Sequence, residues 1–248
     1  KPEKGGAAED DALDGDAASS ARALAEAGRD SGDLAAVPDP ERKAKAAKSF
    51  RFFCETYFPG IFYFPWSRDH PRIIAKVEQS VLRGGLFALA TPRGSGKTAL
   101  AECACLWAML YGHREFVALI GATEKHAKKM LESIMTEIEG NDLLLADIPE
   151  ACFSIRCLAG IPNRCGAQIS RGARTHIGWT EAGIVLPTIP GSRSSGAIIE
   201  VTGITGRIRG MNFKRPDGRS VRPSLVVIDD PQTRESASSL SQCVTREQ

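Results

Sequence analysis

Eight consecutive residues, TPRGSGKT at positions 91–98, place two glycines, a lysine and a hydroxyl side chain at close spacing. Gly94 and Gly96 permit a tight backbone path whose N–H groups converge on a polyanion. Lys97 would reach the terminal phosphates of a nucleotide, and Thr98 offers a hydroxyl oxygen of the kind that Mg²⁺ prefers. The stretch therefore predicts a loop that binds ATP with Mg²⁺. A chance glycine-rich turn is the alternative.

The loop departs from the usual G-x-x-x-x-G-K-[ST] pattern at its first position, where Thr91 replaces a glycine. Pro92 fixes its own φ and biases Thr91 toward an extended conformation. We therefore expect the proline to set the turn that a glycine sets in the usual loop. The residues predicted to contact the nucleotide here are Thr91, Pro92, Arg93, Gly94, Ser95, Gly96, Lys97 and Thr98.

Two adjacent carboxylates, Asp229 and Asp230, follow four apolar residues in SLVVIDD, and the first lies 132 residues after Lys97. The apolar run predicts a strand that reaches the ligand-binding edge of a sheet. We expect Asp229 to hold Mg²⁺ and Asp230 to orient or deprotonate the attacking water. Hydrolytic motors usually place Glu at the second position, and Asp is one methylene shorter. A structural Asp-Asp-Pro turn is the alternative.

The elements that must position these side chains alternate between strand and helix. LFALA at 86–90 and EFVALIGAT at 115–123 are apolar runs that predict strands buried on both faces. Residues 97–112 and 124–140 have the length and apolar spacing of helices. Shorter strand signals follow between about 150 and 222. The alternation predicts an α/β fold with a mostly parallel sheet and helices on both faces.

An aromatic segment precedes the loop, since nine of the 17 residues from Phe50 to Trp66 are Phe, Tyr or Trp. One interpretation is a helix followed by a hydrophobic loop, both packed on the main domain. Another is that the loop also walls an adenine pocket, because bases stack well on aromatic faces. A helix with regularly spaced apolar residues is then predicted to end at Gly84 and Gly85.

Charge is unevenly distributed along the chain. Residues 1–40 hold ten acidic and four basic side chains and no aromatic residue, a net charge of −6. Because the whole chain carries +2, residues 41–248 carry +8. The acidic segment cannot bury enough surface to offset its ordering entropy, so we expect a disordered leader over 1–40 and a folded domain over 41–248. The basic excess fits a polyanion partner, with a solvated surface as the alternative.

Hydropathy and cysteine spacing bear on the class of protein. The chain has no apolar run of about 18 residues, so we expect no membrane span. It lacks a signal-peptide pattern, and we expect a fragment or processed chain rather than a secreted precursor. Its seven cysteines include Cys152, Cys157 and Cys165, which form no C-x-x-C pair. Reduced structural cysteines are favoured over a zinc site.

Three stretches together resemble one protein family. ATPRGSGKT, GATEKHAKKML and GITGRIRGMNFKRPDGRSVRPSLVVIDDPQTRESASSLSQ are similar to the ATPase domain of bacteriophage terminase large subunits, the motors that pump viral DNA into preformed capsids. The similarity covers about residues 50–248. Its most specific parts are the P-R-G-x-G-K-T loop and the R-G…R-P…D-D-P-Q run.

The resemblance implies a P-loop NTPase fold of the additional-strand, RecA-like type, and ATP hydrolysis coupled to movement of double-stranded DNA. It also implies a homo-oligomeric ring, a portal protein and a small terminase subunit as partners, and the cytoplasm of an infected bacterium as the location. These motors often carry an arginine in the loop, so Arg93 would stabilise charge on the γ-phosphate. A surface arginine paired with an acid is the alternative.

The family also has an adenine-recognising segment upstream of the loop, often containing Gln. The comparable stretch here is FPWSRDHPRII, and no Gln precedes Gln79. The resemblance makes Trp66 and His70 candidate adenine contacts, although a single His beside a Pro is more often a capping or packing residue.

A basic stretch lies just before the predicted metal strand. It holds six basic residues within 16 positions, namely Arg207, Arg209, Lys214, Arg215, Arg219 and Arg222. We expect the first four to contact DNA phosphates without regard to sequence, or the nucleotide of a neighbouring subunit. A solvated loop is the alternative.

Two departures from the family pattern shape the expected activity. Asp230 replaces the more common Glu, and 18 residues follow it, so the motif that couples hydrolysis to movement is expected to be missing or only begun. The nuclease domain of such proteins is also absent, so we expect no DNA cleavage. Two other functions remain open: a helicase-like P-loop DNA-dependent ATPase, and a nucleotide-binding module that binds DNA or a capsid without turnover.

Overall fold

The computed structural model describes residues 30–206, 208, 210–231 and 238. Its helices are α1 (Pro40–Lys48), α2 (Phe50–Tyr57), α3 (His70–Arg83), α4 (Lys97–Leu110), α5 (Glu124–Gly140), α6 (Asp142–Asp147) and α7 (Pro149–Arg156), with a 3₁₀ helix at Pro162–Ala167. Its strands are β1 (Phe116–Gly121), β2 (Ile169–Ser170), β3 (Ala173–Arg174), β4 (Gly178–Thr180), β5 (Gly183–Val185), β6 (Ile198–Gly203), β7 (Phe213–Lys214), β8 (Ser220–Val221) and β9 (Leu225–Asp229). None of the helices within these described ranges has the length and hydropathy needed to cross a membrane.

Five strands form the main sheet in the order β4-β5-β6-β1-β9. Strand β1 pairs in parallel with β6 on one side and with β9 on the other. Strand β5 pairs antiparallel with both β4 and β6, so four of the five strands run in one direction. The expected α/β fold with a mostly parallel sheet is confirmed at this level.

Parallel pairing brings three strand ends together at one edge of the sheet. Gly121 at the end of β1 is in register with Gly203 of β6 and with Asp229 of β9. All six residues of β1 are buried, as expected of an apolar strand with a partner on each side. The register of β1 therefore fixes where the carboxylate of β9 emerges from the sheet.

The helices that contact the sheet cover one of its faces. Helices α4 and α5 pack against the strands and against each other, over a core that includes Val117, Leu119 and Ile199. On the opposite face, Val226 and Ile228 of β9 are 49% and 52% exposed. Phe116, Ala118 and Ile120 of β1 lie on that same face and are buried, so helices on both faces stay a prediction. The connection from β6 to β9 contains the hairpin β7–β8, and none of its described residues is helical.

The strand predicted before the phosphate-type loop is not formed. Residues 84–92 have no regular secondary structure, and Leu86 is fully exposed. A strand buried on both faces needs a place inside a sheet, and β9 is the last strand of the sheet on this side within the described residues. An apolar run alone does not provide that pairing partner.

The aromatic segment is divided between the core and the surface. Phe50 and Tyr57 on α2 are buried, and the Phe50 ring lies 5.4 Å from the ring of Trp107 on α4. Tyr63 and Phe64 in the following loop are 69% and 72% exposed. The helical half packs on the main domain as predicted, whereas the loop packs only in part.

The end of the predicted acidic leader contacts the folded domain. The Asp30 carboxylate accepts hydrogen bonds from the backbone nitrogens of Arg171 and Gly172, each at 3.0 Å. Asp39 caps α1 by accepting a hydrogen bond from the Arg42 nitrogen at 2.8 Å. The earlier part of the leader, residues 1–29, lies outside the described residues.

Candidate functional site

Positive φ angles at Gly94 (81°) and Gly96 (72°) shape the loop that precedes α4. A Cβ atom at either position would meet no atom within 4 Å, so the backbone conformation rather than the available space requires glycine there. The hydroxyls of Thr91 and Ser95 lie 2.8 Å apart and close the loop. A glycine at the first position could not make this contact.

The loop leads directly into the amino end of α4, with Gly96 as the N-cap residue. No side chain caps this end, so the first backbone N–H groups of the helix remain for another acceptor. Lys97 donates from Nζ to the Thr91 carbonyl at 3.1 Å and so lies over the loop. Backbone donors and an ammonium group thus meet at one place, which suits a phosphate group.

A hydrogen bond joins the loop to the last strand of the sheet. The Thr98 hydroxyl donates to Oδ2 of Asp229 at 2.7 Å, although the two residues are 131 positions apart. Asp229 is only 5% exposed, because it ends β9 beneath the loop. A hydroxyl and a carboxylate in contact are both oxygen ligands, so these residues fit Mg²⁺.

A magnesium site of this type needs few protein ligands, since the ion usually keeps waters and binds substrate phosphates. In the part of the chain that the structure describes, no three His, Cys, Asp or Glu side chains come together as a metal-binding group. Cys152, Cys157 and Cys165 are free thiols. The candidate cation-binding site in the described residues is therefore the Thr98–Asp229 pair.

The second carboxylate, Asp230, has an unusual backbone conformation. Its φ is +42°, in the left-handed region that non-glycine residues seldom adopt, and it precedes Pro231. The residue is exposed, whereas Asp229 is buried. The backbone turn after β9 thus separates the two carboxylates into one that faces the loop and one that is open to water.

Two further polar side chains, which belong to none of the predicted motifs, lie near Asp229. Nε2 of His126, on the first turn of α5, lies 3.2 Å from Oδ2 of Asp229. Glu102, one turn after Thr98 on α4, accepts a hydrogen bond from the Ser133 hydroxyl at 2.9 Å. The spacing from Thr98 was a usable signal for Glu102. No local pattern could identify His126, because its contact depends on the register of β1 and β9.

The candidate adenine residues lie beside the loop. Nε2 of His70 donates to the Ser95 carbonyl at 3.1 Å, and the rings of Trp66 and His70 are 5.2 Å apart. Trp66 donates from Nε1 to Glu55 at 2.6 Å. The structure therefore brings His70 into contact with the loop, and Trp66 packs against His70.

A cavity of about 550 Å³ lies between α3 and the segment before the loop. Its lining includes Asp69, Arg72, Lys76, Phe87 and Pro92, and neither Trp66 nor His70. Its volume falls in the range of about 300–1,000 Å³ that is usual for small-molecule sites. The cavity adjoins the loop through Thr91 and Pro92.

A second cavity of about 580 Å³ lies against β4, β5 and β6. Glu200 is part of its lining, and burial raises the pKa of this carboxyl. None of the loop residues or aspartates described above lines it. We therefore assign the candidate site to the loop and not to this cavity. At the loop, groups that can bind an anion lie beside groups that can bind a cation.

The predicted basic contacts differ from one another in their surroundings. Arg93 and Lys214 are exposed. The Arg215 guanidinium is held by the Glu115 carboxylate and the Gly196 carbonyl, each at 2.8 Å. Arg207 and Arg209 lie outside the described residues.

Comparisons with known proteins leave the family unassigned. No protein-family model matches the chain. No curated protein and no solved structure matches it either. The resemblance to terminase large subunits therefore rests on the sequence motifs alone and stays a prediction.

Proposed function

We propose that this chain is the ATPase motor domain of a viral terminase large subunit. In this proposal it is a P-loop NTPase of the additional-strand type that hydrolyses ATP to move double-stranded DNA into a capsid. The observation that carries the proposal is the 2.7 Å hydrogen bond from Thr98 to Asp229. It joins a glycine-rich loop with a lysine to a buried carboxylate at a sheet edge, which is the combination that ATP with Mg²⁺ requires.

Each residue of the site has a role in this proposal. The N–H groups at the start of α4 and the Lys97 ammonium bind the β- and γ-phosphates. Thr98 and Asp229 hold Mg²⁺, which when bound neutralises phosphate charge. Arg93 stabilises charge that develops on the γ-phosphate. Asp230, open to solvent, orients or deprotonates the attacking water.

The proposed partners follow from charge and from the motifs. Lys214, with Arg207 and Arg209 in the same stretch, binds the phosphate backbone of duplex DNA without reading sequence. Further partners in the proposal are other copies of the chain in a homo-oligomeric ring, a portal protein and a small terminase subunit. The proposed location is the cytoplasm of an infected bacterium.

ATP turnover with and without duplex DNA tests the proposal. We expect Lys97→Ala to abolish turnover, because the ammonium that contacts the phosphates is lost. Asp230→Asn should abolish turnover while leaving ATP affinity within about twofold, since the amide cannot accept the proton of the water. Lys125→Ala, an exposed lysine on the next helix, is the matched control. Turnover that survives Lys97→Ala would contradict the phosphate-loop assignment.

A nucleotide-binding module without turnover is the second candidate. The observation that favours it is the exposed, short and left-handed Asp230, which is a less secure base than a glutamate. ATP binding that depends on Lys97, combined with no turnover even with DNA, would favour this function over the motor. An Asp230→Glu variant that gains turnover would locate the difference in that side chain.

A further inference from the structure

The imidazole of His126 lies against the carboxylate that is proposed to hold the cation. Nε2 of His126 is 3.2 Å from Oδ2 of Asp229, and the Thr98 hydroxyl donates to the same oxygen at 2.7 Å. A carboxylate oxygen only accepts, so the contact requires the proton of the ring on Nε2. With both donors on Oδ2, the carboxylate is held in one orientation.

The fold brings His126 to this place through a close approach of helix and sheet. A Cβ atom on Gly121 would lie 2.8 Å from the Ala127 nitrogen, and one on Gly203 would lie 2.7 Å from the Glu124 nitrogen. Any larger residue at the ends of β1 and β6 would therefore push α5 away. The two glycines allow the first turn of α5 to reach the strand end that carries Asp229.

The first turn of α5 is itself fixed. The Thr123 hydroxyl accepts a hydrogen bond from the His126 nitrogen at 3.2 Å, which caps the helix. The side chain of His126 is 36% exposed, whereas that of Asp229 is 6% exposed. The imidazole is thus held by a capped helix end, with one side on the buried carboxylate and the other toward solvent.

From this geometry we infer that His126 is a positioning residue, which orients Asp229 for the cation of the nucleotide site. The inference rests on the proposed function. His126 belongs to neither the loop nor the strand that supplies the ligands, and it acts through Asp229 rather than on the nucleotide. Groups that orient a metal-binding carboxylate typically contribute about 10–100-fold in metal affinity or activity.

Cation binding to the ADP complex of the full chain tests the inference, with Mn²⁺ in place of Mg²⁺ and free Mn²⁺ measured by electron paramagnetic resonance. We expect His126→Ala to weaken Mn²⁺ binding about tenfold or more. His126→Gln should restore affinity to within about threefold, because its amide nitrogen is as many bonds from Cα as Nε2 and donates in the same way. ADP affinity without metal should not change in either variant.

Controls separate this role from a structural one. Lys125→Ala changes an exposed residue in the same turn and should bind Mn²⁺ like the wild type. The thermal midpoint of His126→Ala without ligands should also stay close to that of the wild type, since the side chain is partly exposed.

Three outcomes would overturn the inference. Wild-type Mn²⁺ affinity in His126→Ala, with affinity lost in Thr98→Ala, would remove His126 from the site and leave the proposed function intact. Weak binding in both His126→Ala and His126→Gln would show that a donated hydrogen bond is not the cause. Failure of the wild type to bind Mn²⁺ with ADP would overturn the proposed function and the inference together.

Discussion

At the scale of single residues, Glu102 is a partly buried carboxyl next to the candidate site. It lies one turn after Thr98, and its only hydrogen bond from a described side chain comes from Ser133. Burial raises the pKa of Glu102, the Ser133 hydroxyl opposes the rise, and the negative charge of Asp229 adds to it. The folded chain therefore holds a proton on Glu102 more tightly than the unfolded chain does.

This raised pKa predicts how stability depends on pH. Glu102 contributes stability below its ordinary value of 4.5, and the contribution is lost as pH rises through the raised folded pKa. Glu102→Gln has no such titration. We therefore expect the variant to become more stable relative to the wild type as pH rises above 4.5. Urea unfolding between pH 4 and 8 measures both free energies of unfolding.

The exposed Glu132 provides the control for this measurement, since Glu132→Gln should follow the pH dependence of the wild type. If Glu102→Gln and the wild type show parallel curves over the whole range, the carboxyl is not perturbed by its surroundings.

A site residue could be predicted from sequence where it belongs to a local motif. It could not be predicted where its contact depends on distant parts of the chain. The pairing of Thr98 with Asp229 followed from two motifs that each have a local pattern, and the structure brings these side chains into contact. His126 has no motif of its own, and its contact arises from strand register and from two glycines. The left-handed φ of Asp230 could not be predicted from the sequence either, because a residue before Pro is usually extended.

At the scale of elements, the two faces of the sheet differ in what covers them. Leu119 of β1 is fully buried under α4 and α5, and Ile228 of β9 is 52% exposed on the other face. Both are large aliphatic side chains in the same sheet. Truncating each side chain to alanine therefore compares a site that is covered by helices with a site that is half exposed.

We expect Leu119→Ala to lower the free energy of unfolding by about 2–5 kcal/mol, because it leaves a cavity in a close-packed core. Ile228→Ala should lower it by less than about 1 kcal/mol, since half of the side chain already contacts water. Urea denaturation of both variants measures the difference. Equal losses would mean that a further layer covers the β9 face in solution.

Elements with strong periodicity were predicted more reliably than those that depend on a neighbour. The patterns located β1, β9, α4 and α5 to within a few residues, because apolar runs and helical spacing are local properties. The run LFALA is as apolar as the core of β1 and yet forms no strand. The difference lies in the sheet, where β1 has two partners.

At the scale of the whole molecule, charge sets the expected interaction with DNA. Residues 41–248 carry +8, the difference between the total of +2 and the −6 of residues 1–40. Lys214 is exposed, whereas Arg215 is already paired with Glu115. The former is therefore free to meet a phosphate, and the latter supports the hairpin that carries it.

We expect Lys214→Ala to weaken duplex binding equally for unrelated sequences and to reduce the slope of log affinity against log salt by about one. Fluorescence anisotropy over a range of salt concentrations measures both quantities. Lys125→Ala, which removes an exposed lysine elsewhere, should leave the slope unchanged. A loss confined to one DNA sequence would contradict backbone binding.

The order of strands has a consequence for how the chain is made. Among the strands of the described residues, β9 is the last in sequence but pairs with β1, the first, and 103 residues separate them. A ribosome adding about 5–20 residues per second needs about 5–20 s to cover that distance. During this time one edge of β1 lacks its pairing strand, and the Thr98 hydroxyl lacks the Asp229 carboxylate as its acceptor. The proposed nucleotide site is therefore complete only after the chain has been synthesised through Asp229.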